Sequence, residues 1–301
     1  MLLRDPASAL SVRGREYLPE MSFMRLLRPL EIASKELPWI VSESIAEFLN
    51  PAAVEFYENL LAGGYEPGQL LYVLPKHKLI YAAVPKAAST RIKRTLARIE
   101  GRHSRSIKPS RRSQYRGPYG PRNITIGSFF RLATNPDTLR FSFVRNPYAR
   151  VVSCWAHKFA DKPLVRGDSF IDIYLAIRPE IDANLPAGVD RTLSFAEFVV
   201  FAAATAKGRH DIHLQAQDEI LSMPGIELGL IGKVETFDAD FVRVLDHLDA
   251  SDEIRREAAI VINESHHEDW PIYYTSELAD RIYRAYECDF DRFGYASSAL
   301  V

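Results

Sequence analysis

The sequence of 301 residues is poor in cysteine, with only Cys154 and Cys288. So few cysteines exclude a disulfide framework and a cysteine-rich zinc module, and they are typical of a protein in a reducing compartment. The sequence also lacks an uncharged hydrophobic run of the ~18–20 residues that a transmembrane helix needs. Its first residues show no apolar stretch of the signal-peptide type. We therefore expect a soluble, cytoplasmic protein with no membrane span.

An excess of charge of one sign is absent as well, since 38 basic side chains face 39 acidic ones and the formal net charge is -1. Such a balance gives no global field for holding DNA, so any anion must be bound by a local cluster. Internal repeats and low-complexity tracts are also missing. With 47% hydrophobic residues, the chain has enough apolar material for a core, which excludes intrinsic disorder.

Strand, turn and helix alternate along the chain from residue 79 onward. Short apolar runs without alternation are typical of buried parallel strands, and they predict strands at Leu79–Val84, Leu139–Val144 and Leu228–Ile231. Helical patterns follow at residues 90–100, 148–159 and 238–248, and a further one spans 194–206. This order predicts an α/β fold in which a P-loop-like parallel sheet is flanked by helices and carries helical insertions.

The chain ahead of the first predicted strand is interpreted as a mainly helical lead-in. Residues 42–44 can cap a helix that runs to residue 49, and Asn50-Pro51 starts a second helix that ends at Gly63-Gly64. Residues 102–122, rich in Arg, Ser, Pro and Gly, predict a long loop, and residues 170–177 a helix. We expect a helical extension over 1–70 packed on the core, and an α/β domain over 71–301.

The turn after the first strand, Pro85-Lys86-Ala87-Ala88-Ser89-Thr90, has the chemistry of an anion site. The first N–H groups of the following helix have no partner within the helix, and the helix dipole adds partial positive charge there. Lys86 adds a full charge, and Ser89 and Thr90 add hydroxyl donors. The turn lacks the GxxxxGK[ST] pattern of a P-loop, and an ordinary capped turn would have a similar sequence.

A second anion-binding pattern follows the second strand, where Arg145 comes at the strand exit and Ser153 lies on the next helix. In a parallel sheet, Lys86 and Arg145 would both lie at the carboxyl edge, where α/β folds bind ligands. The planar arginine fork suits a terminal phosphate. Two anion-binding corners in one site predict a ligand with phosphate groups at both ends of a nucleoside.

These two segments resemble the signatures by which sulfotransferases bind 3′-phosphoadenosine-5′-phosphosulfate (PAPS). Pro85–Thr90 resembles the 5′-phosphosulfate loop, and Phe143–Ser153 resembles the 3′-phosphate segment. More narrowly, the chain is similar to the carbohydrate sulfotransferases of the HNK-1 and chondroitin type, in sulfotransferase family 2. Supporting matches are Asp211-Ile212-His213 before Gln217, Ile231–Thr236, and Asp289–Tyr295. Ala88 departs from the pattern, because many members have glycine there.

The resemblance implies a sulfotransferase that moves the sulfuryl group of PAPS to a hydroxyl of a carbohydrate, neutral or anionic, and releases the bisphosphate PAP. A metal is not required, because lysine and the helix N-terminus supply the charge, and no nucleic-acid partner is expected. Since no membrane anchor is seen, we also expect a bacterial source. Lys86 would neutralise the leaving group. The other residues implied to bind the donor are Ala87, Ala88, Ser89, Thr90 and Arg91 at the 5′ end and Arg145 and Ser153 at the 3′-phosphate.

The acceptor hydroxyl needs a general base that titrates near neutral pH, which favours histidine. His213 is the first choice because it matches the family's Asp-x-His pattern and has Asp211 close by. His157, on the helix that carries Ser153, is the second choice, and His103 in the basic loop is the third. The adjacent pair His266-His267 is not interpreted as a metal site, because neighbouring side chains diverge in direction.

Two other functions fit some of the same residues. A nucleotide-dependent kinase or NTPase of the P-loop type would share the fold, and it would bind ATP with Mg²⁺. A non-catalytic polyanion-binding protein would use the stretch from Arg91 to Arg122, which carries 11 Lys and Arg residues and one acid, Glu100. Such a stretch is more often a solvated basic face.

Overall fold

The computed structural model describes residues 50–65, 67–101, 124–160, 192–208, 211–260 and 269–297. Within these ranges one sheet has the strand order β1-β2-β3-β4. Its strands are β1 (Leu71–Leu74), β2 (Leu79–Ala82), β3 (Leu139–Val144) and β4 (Leu230–Lys233). The last three are parallel, whereas β1 pairs antiparallel with β2. The predicted α/β class is confirmed, but the prediction of a wholly parallel sheet is wrong at this edge, where the sheet is mixed.

The antiparallel strand β1 was not predicted from the sequence. It pairs with β2 from Leu71 opposite Ala82 to Leu74 opposite Leu79. A single 3₁₀ turn over Pro75–His77 joins the two strands, and Lys78 closes it in the left-handed region with a φ of 45°. A strand of four residues is too short to show a hydrophobic period, so local pattern alone does not distinguish it from a loop.

The helices agree with the predicted ones to within one residue where both exist. They are α1 (Pro51–Ala62), α2 (Pro67–Leu70), α3 (Ser89–Ile99), α4 (Ile126–Thr134), α5 (Pro147–Lys158), α6 (Phe195–Thr205), α7 (Gln217–Leu221), α8 (Phe237–His247), α9 (Asp252–Ala258), α10 (Ser276–Ala285) and α11 (Glu287–Phe293). The predicted helices at 42–49 and 170–177 and the predicted loop at 102–122 lie outside the described residues. None of the helices in the described ranges is long and apolar enough to cross a membrane.

Local capping explains where several helices begin. The Asn50 side chain accepts a hydrogen bond from the Ala53 N–H, and Pro51 occupies the first helical position of α1. Asn146 caps α5 in the same way by accepting from the Tyr148 N–H at 2.9 Å. Ser194 and Glu197 form a reciprocal capping box at the start of α6. Because Asn146 directly follows Arg145, the cap of α5 also orients the end of β3.

Both faces of the sheet are buried, which is why its central strands read as continuous apolar runs. Ile80 and Ala82 belong to one hydrophobic cluster, and Tyr81 and Phe141 belong to a second one on the opposite face. Helix α1 packs on the first face, where the ring of Phe56 lies 5.5 Å from those of Phe129 and Phe130 in α4. Helix α1 thus packs on the core, while the extension over 1–70 and the division of the chain at residue 70 stay predictions.

Candidate active site

The register of the sheet brings the Lys86 and Arg145 segments to one edge. Ala82 at the end of β2 pairs with Ser142, and Val144 at the end of β3 pairs with Lys233 at the end of β4. The three parallel strands therefore exit side by side, and the chain that follows each of them starts from the same edge. In α/β proteins this carboxyl edge is where ligands bind.

The Lys86 loop is a tight turn with unusual backbone angles. Lys86 and Ala88 both have positive φ, at 68° and 54°, in the left-handed region that residues with a Cβ rarely adopt. Ala88 occupies the N-cap of α3, and its methyl side chain cannot accept a hydrogen bond from the first-turn N–H groups. The loop thus combines strained backbone, an ammonium group and a helix N-terminus without a side-chain cap, a combination that favours an anion.

Arg91 was predicted to bind the donor, but its side chain packs between helices. Its Nε donates to the Ala258 carbonyl at 2.6 Å and one Nη to Asp238 at 2.5 Å, and the guanidinium lies 4.0 Å from the centre of the Phe237 ring. The residue is 8% exposed. These contacts commit the side chain to joining α3, α8 and α9. Contact between Arg91 and the donor stays a prediction. With the side chain engaged elsewhere, the group that would make this contact is the backbone N–H of Arg91, in the first turn of α3.

The backbone of Arg145 is held on both sides by one side chain. The Arg145 N–H donates to Oε1 of Gln217 at 2.9 Å, and Nε2 of Gln217 donates back to the Arg145 carbonyl at 2.8 Å. Asp289 in turn accepts hydrogen bonds from the backbone N–H groups of Gln217 and Asp218, at 3.0 and 2.7 Å. The direction of Arg145 is therefore set jointly by α7 and α11.

Charges around the Arg145 side chain keep it cationic. Burial lowers the pKa of Arg145, whereas the nearby Glu235 carboxylate raises it. Glu235 accepts hydrogen bonds from the Asn146 N–H at 2.8 Å and from the Tyr295 hydroxyl at 3.0 Å. Because guanidinium groups titrate far above neutral pH, Arg145 remains a cation suited to a phosphate.

Ser153 lies in the middle of α5 and is 3% exposed. It is followed by Cys154, whose pKa is raised to about 11 mainly by burial, so the thiol stays protonated. The charges of Lys86, Arg150 and Asp211 all act on this thiol. Arg150 of the same helix donates to the Pro85 and Ile212 carbonyls, so α5 holds the Lys86 loop and the Asp211 segment near each other.

His213 and Asp211 form a hydrogen-bonded pair. One Asp211 carboxylate oxygen lies 2.8 Å from Nδ1 of His213 and also accepts from the His213 backbone N–H at 2.7 Å. An ionised carboxylate requires Nδ1 to donate, which leaves the basic lone pair on Nε2. The imidazole is 32% exposed and the Asp211 side chain 17%, so the pair lies near the protein surface. This geometry suits a general base.

The other histidines are placed less clearly for catalysis. His157 is exposed near the end of α5, whereas His103 and the pair His266-His267 lie outside the described residues. In the part of the chain that the structure describes, no group of three His, Cys, Asp or Glu side chains is arranged to hold a metal ion. The assignment of the base to His213 stays a prediction that the Asp211 contact supports.

Arg150 was not predicted from the sequence, yet it is the largest fully buried side chain of the described residues, at 2% exposure. Its guanidinium donates to the carbonyls of Pro85, Ile212 and Gln215. A charged residue followed by Val151 and Val152 in an otherwise buried helix is the one signal that could have pointed to it. The functions of Gln217 and Asp289 were likewise not predicted.

The described residues thus form an α/β domain in which Lys86 and Arg145 follow two adjacent parallel strands and Arg150 links the Lys86 loop to the segment of the His213–Asp211 pair. Residues 69–296 match the model of the sulfotransferase family. The chain belongs to this family.

Among curated proteins the chain is similar to carbohydrate sulfotransferases. It is 26% identical to carbohydrate sulfotransferase 12 of Mus musculus, over 77% of this chain and 61% of that protein. It is 27% identical to carbohydrate sulfotransferase 11 of Danio rerio, over 75% of this chain and 67% of that protein. With carbohydrate sulfotransferase 10 of Mus musculus the identity is 24%, over 98% of this chain and 86% of that protein. No solved structure matches the chain significantly.

Proposed function

We propose that the protein transfers the sulfuryl group of PAPS to a hydroxyl of a carbohydrate. One observation carries the proposal. The Lys86 loop and Arg145 follow adjacent parallel strands at the same edge of the sheet, in a member of the sulfotransferase family. A carbohydrate acceptor is supported by the names of the relatives, which are carbohydrate sulfotransferases. An acceptor with its own negative charge is compatible with the basic stretch from Arg91 to Arg122.

The residues at this edge fit a donor with anionic groups at both ends. The N-terminus of α3 offers the backbone N–H groups of Ser89, Thr90 and Arg91 without competition from a side-chain cap. Lys86 adds a mobile charge at the phosphosulfate end, and Arg145 and Ser153 hold the 3′-phosphate. Bound PAPS supplies an activated sulfuryl group on a phosphate leaving group.

His213 removes the proton of the acceptor hydroxyl at Nε2, while Asp211 fixes the ring through Nδ1. The acceptor oxygen then forms a bond to sulfur as the bond between sulfur and the bridging phosphate oxygen breaks. That oxygen keeps the electron pair, and Lys86 stabilises its negative charge. As in phosphoryl transfer, positioning and charge stabilisation provide most of the catalysis.

The donor is tested by a thermal-shift panel with PAP, with ATP and Mg²⁺, and with AMP. A ligand that binds only the folded state raises the melting temperature by mass action. We expect a selective shift with PAP that Lys86→Ala and Arg145→Ala both reduce. Lys78→Ala is the matched control, because Lys78 precedes β2 at the opposite edge and contacts Asp137. A larger shift with ATP and Mg²⁺ would favour a kinase or NTPase instead.

The chemistry is tested by transfer of labelled sulfate from PAPS to a panel of neutral and anionic glycans. His213→Ala should abolish most turnover while it leaves the PAP shift intact. Binding of glycans without any transfer, and unchanged in Lys86→Ala, would support a polyanion-binding protein and contradict the proposal.

A further inference from the structure

We propose that Arg150 is a positioning residue that keeps the Lys86 loop and the His213 segment in a fixed relation to each other. The inference rests on the proposed function, because it assigns Arg150 to the alignment of the donor with the general base. The three carbonyl contacts of its buried guanidinium carry the inference.

Each guanidinium nitrogen of Arg150 donates to a different peptide carbonyl. Nε lies 3.1 Å from the Pro85 oxygen, one Nη 2.8 Å from the Gln215 oxygen, and the other Nη 3.2 Å from the Ile212 oxygen. Pro85 directly precedes Lys86, and Ile212 directly precedes His213. The planar guanidinium of Arg150 therefore connects the residue before Lys86 to the residue before His213, the proposed base.

The position of Arg150 separates it from the ligand-binding cations. It is 2% exposed, whereas Arg145 is half-buried at the edge. Its charge is felt by the buried Asp289 carboxyl, whose pKa burial raises and Arg150 lowers. Asp289 is the same residue that holds Gln217 behind Arg145. The buried Arg150 guanidinium is therefore not exposed to contact the sulfuryl donor. It can affect transfer only through the backbone segments that it connects.

The Lys86 loop needs such support because its backbone is strained. Lys86 and Ala88 both lie in the left-handed region without the freedom of glycine. Sulfuryl transfer requires the attacking oxygen, the sulfur and the leaving oxygen to lie in line, and misplacement by about 1 Å can cost on the order of 100-fold in rate. The Arg150 guanidinium limits misplacement of Lys86, because it holds the carbonyl of the preceding Pro85. A lysine at this position could reach one or two of the carbonyls but could not fix all three directions.

The test compares Arg150→Lys with Arg140→Lys as a matched control. Arg140 in β3 also donates to three carbonyls, those of Glu227, Ala133 and Asn135 at 2.7 to 2.9 Å, but it lies near the start of the strand, away from the site. We expect Arg150→Lys to lower kcat by about 10- to 100-fold, with the PAP dissociation constant changed by less than about threefold. Arg140→Lys should keep the wild-type kcat. A purely structural role predicts lower melting temperatures in both variants with kcat unchanged in both.

Hydrogen exchange provides a readout that needs no acceptor. In Arg150→Lys the hydrogen-bonded amides of Ala87 and of residues 213–217 should lose protection together, and those of β3 should not. Should Arg150→Lys not fold, the wild-type enzyme is measured with and without PAP, and both segments must gain protection. Protection confined to residues 86–90 overturns the inference, as does a wild-type kcat in Arg150→Lys. Absence of PAP binding to the wild-type protein would instead remove the proposed function, and the inference with it.

Discussion

At the scale of single residues, the Lys86 loop shows how backbone strain and ligand binding coincide. Ala88 holds a φ of 54° and starts α3 without a side-chain cap. A residue with a Cβ in this region costs ~1–2 kcal/mol relative to its relaxed backbone. The loop is thus kept in a shape that presents N–H groups to an anion, at the expense of local stability.

This strain predicts the sign of a substitution. Ala88→Gly should leave the free energy of unfolding unchanged or raise it by up to ~1 kcal/mol, because relief of the strain offsets the greater chain entropy of unfolded glycine. The control is Ala204→Gly on the exposed face of α6, where the same exchange should cost ~1 kcal/mol. Urea denaturation measures both. An equal loss of stability in the two variants would contradict the strain argument.

Residue types and order predict Lys86, Arg145 and His213 as site residues, since each follows a recognisable strand or matches a family pattern, and these assignments stay predictions. Arg150 could not be assigned in this way. Its function depends on carbonyls at 85, 212 and 215, which are remote along the chain and offer no side-chain signal. Backbone acceptors are present at every position, so only the fold shows which of them a buried donor will meet.

At the scale of elements, two short helices support one corner of the site. Gln217 at the start of α7 bonds both the N–H and the carbonyl of Arg145, and α11 holds Gln217 through Asp289. Because Gln217 is fully buried, removal of its amide leaves several polar groups without partners, each costing ~1–3 kcal/mol. The Arg145 backbone, and with it the direction of the Arg145 side chain, would then no longer be fixed.

We therefore expect Gln217→Leu to weaken PAP binding by about 10-fold or more and to lower the melting temperature. Gln215→Leu is the matched control, because the Gln215 side chain donates to its neighbour Glu219 at 3.3 Å instead of to the Arg145 backbone. Isothermal titration calorimetry with PAP compares the two. Equal affinities in both variants would show that α7 does not position Arg145.

The strands show which elements the sequence could predict. β3 has the predicted limits, whereas β4 begins and ends two residues later than predicted, at Leu230–Lys233 instead of Leu228–Ile231. The apolar run stops at Ile231, but the pairing with β3 continues through Gly232 and Lys233. A Cβ at position 232 would lie 2.5 Å from the Phe143 ring, so glycine is needed there for close packing. The sequence therefore shows where the apolar run lies, but the bounds of β4 are determined by its pairing with β3.

At the scale of the whole molecule, buried groups make stability depend on pH in opposing directions. Burial lowers the pKa of Lys93 from 10.5 to about 8, with its ammonium 4.6 Å from the centre of the Tyr72 ring. Between these two values the unfolded chain binds more protons, so the free energy of unfolding rises with pH. Burial raises the pKa of both cysteines from 9.0 to about 11, which makes the free energy fall above pH 9.

The contribution of Lys93 is isolated by difference. Lys93→Met should be more stable than the wild type at pH 7 by about 1 kcal/mol, because the folded wild type carries a desolvated charge there. The advantage should shrink as pH rises from 8 to 10, since the native lysine becomes neutral. Chemical denaturation of both proteins at several pH values measures it. A difference that stays constant over this range would mean that Lys93 is charged and well solvated in the fold.

The bond from Asp289 to the Gln217 backbone has a consequence for biosynthesis. The acceptor enters the chain 72 positions after the donor. While a ribosome is still translating the intervening residues, strands β1 to β3 and the Lys86 and Arg145 segments have already been made, yet the Gln217 side chain that holds Arg145 has no Asp289 to fix it. Capture of nucleotide should therefore begin only after residue 289 has emerged from the exit tunnel, as the last helix docks.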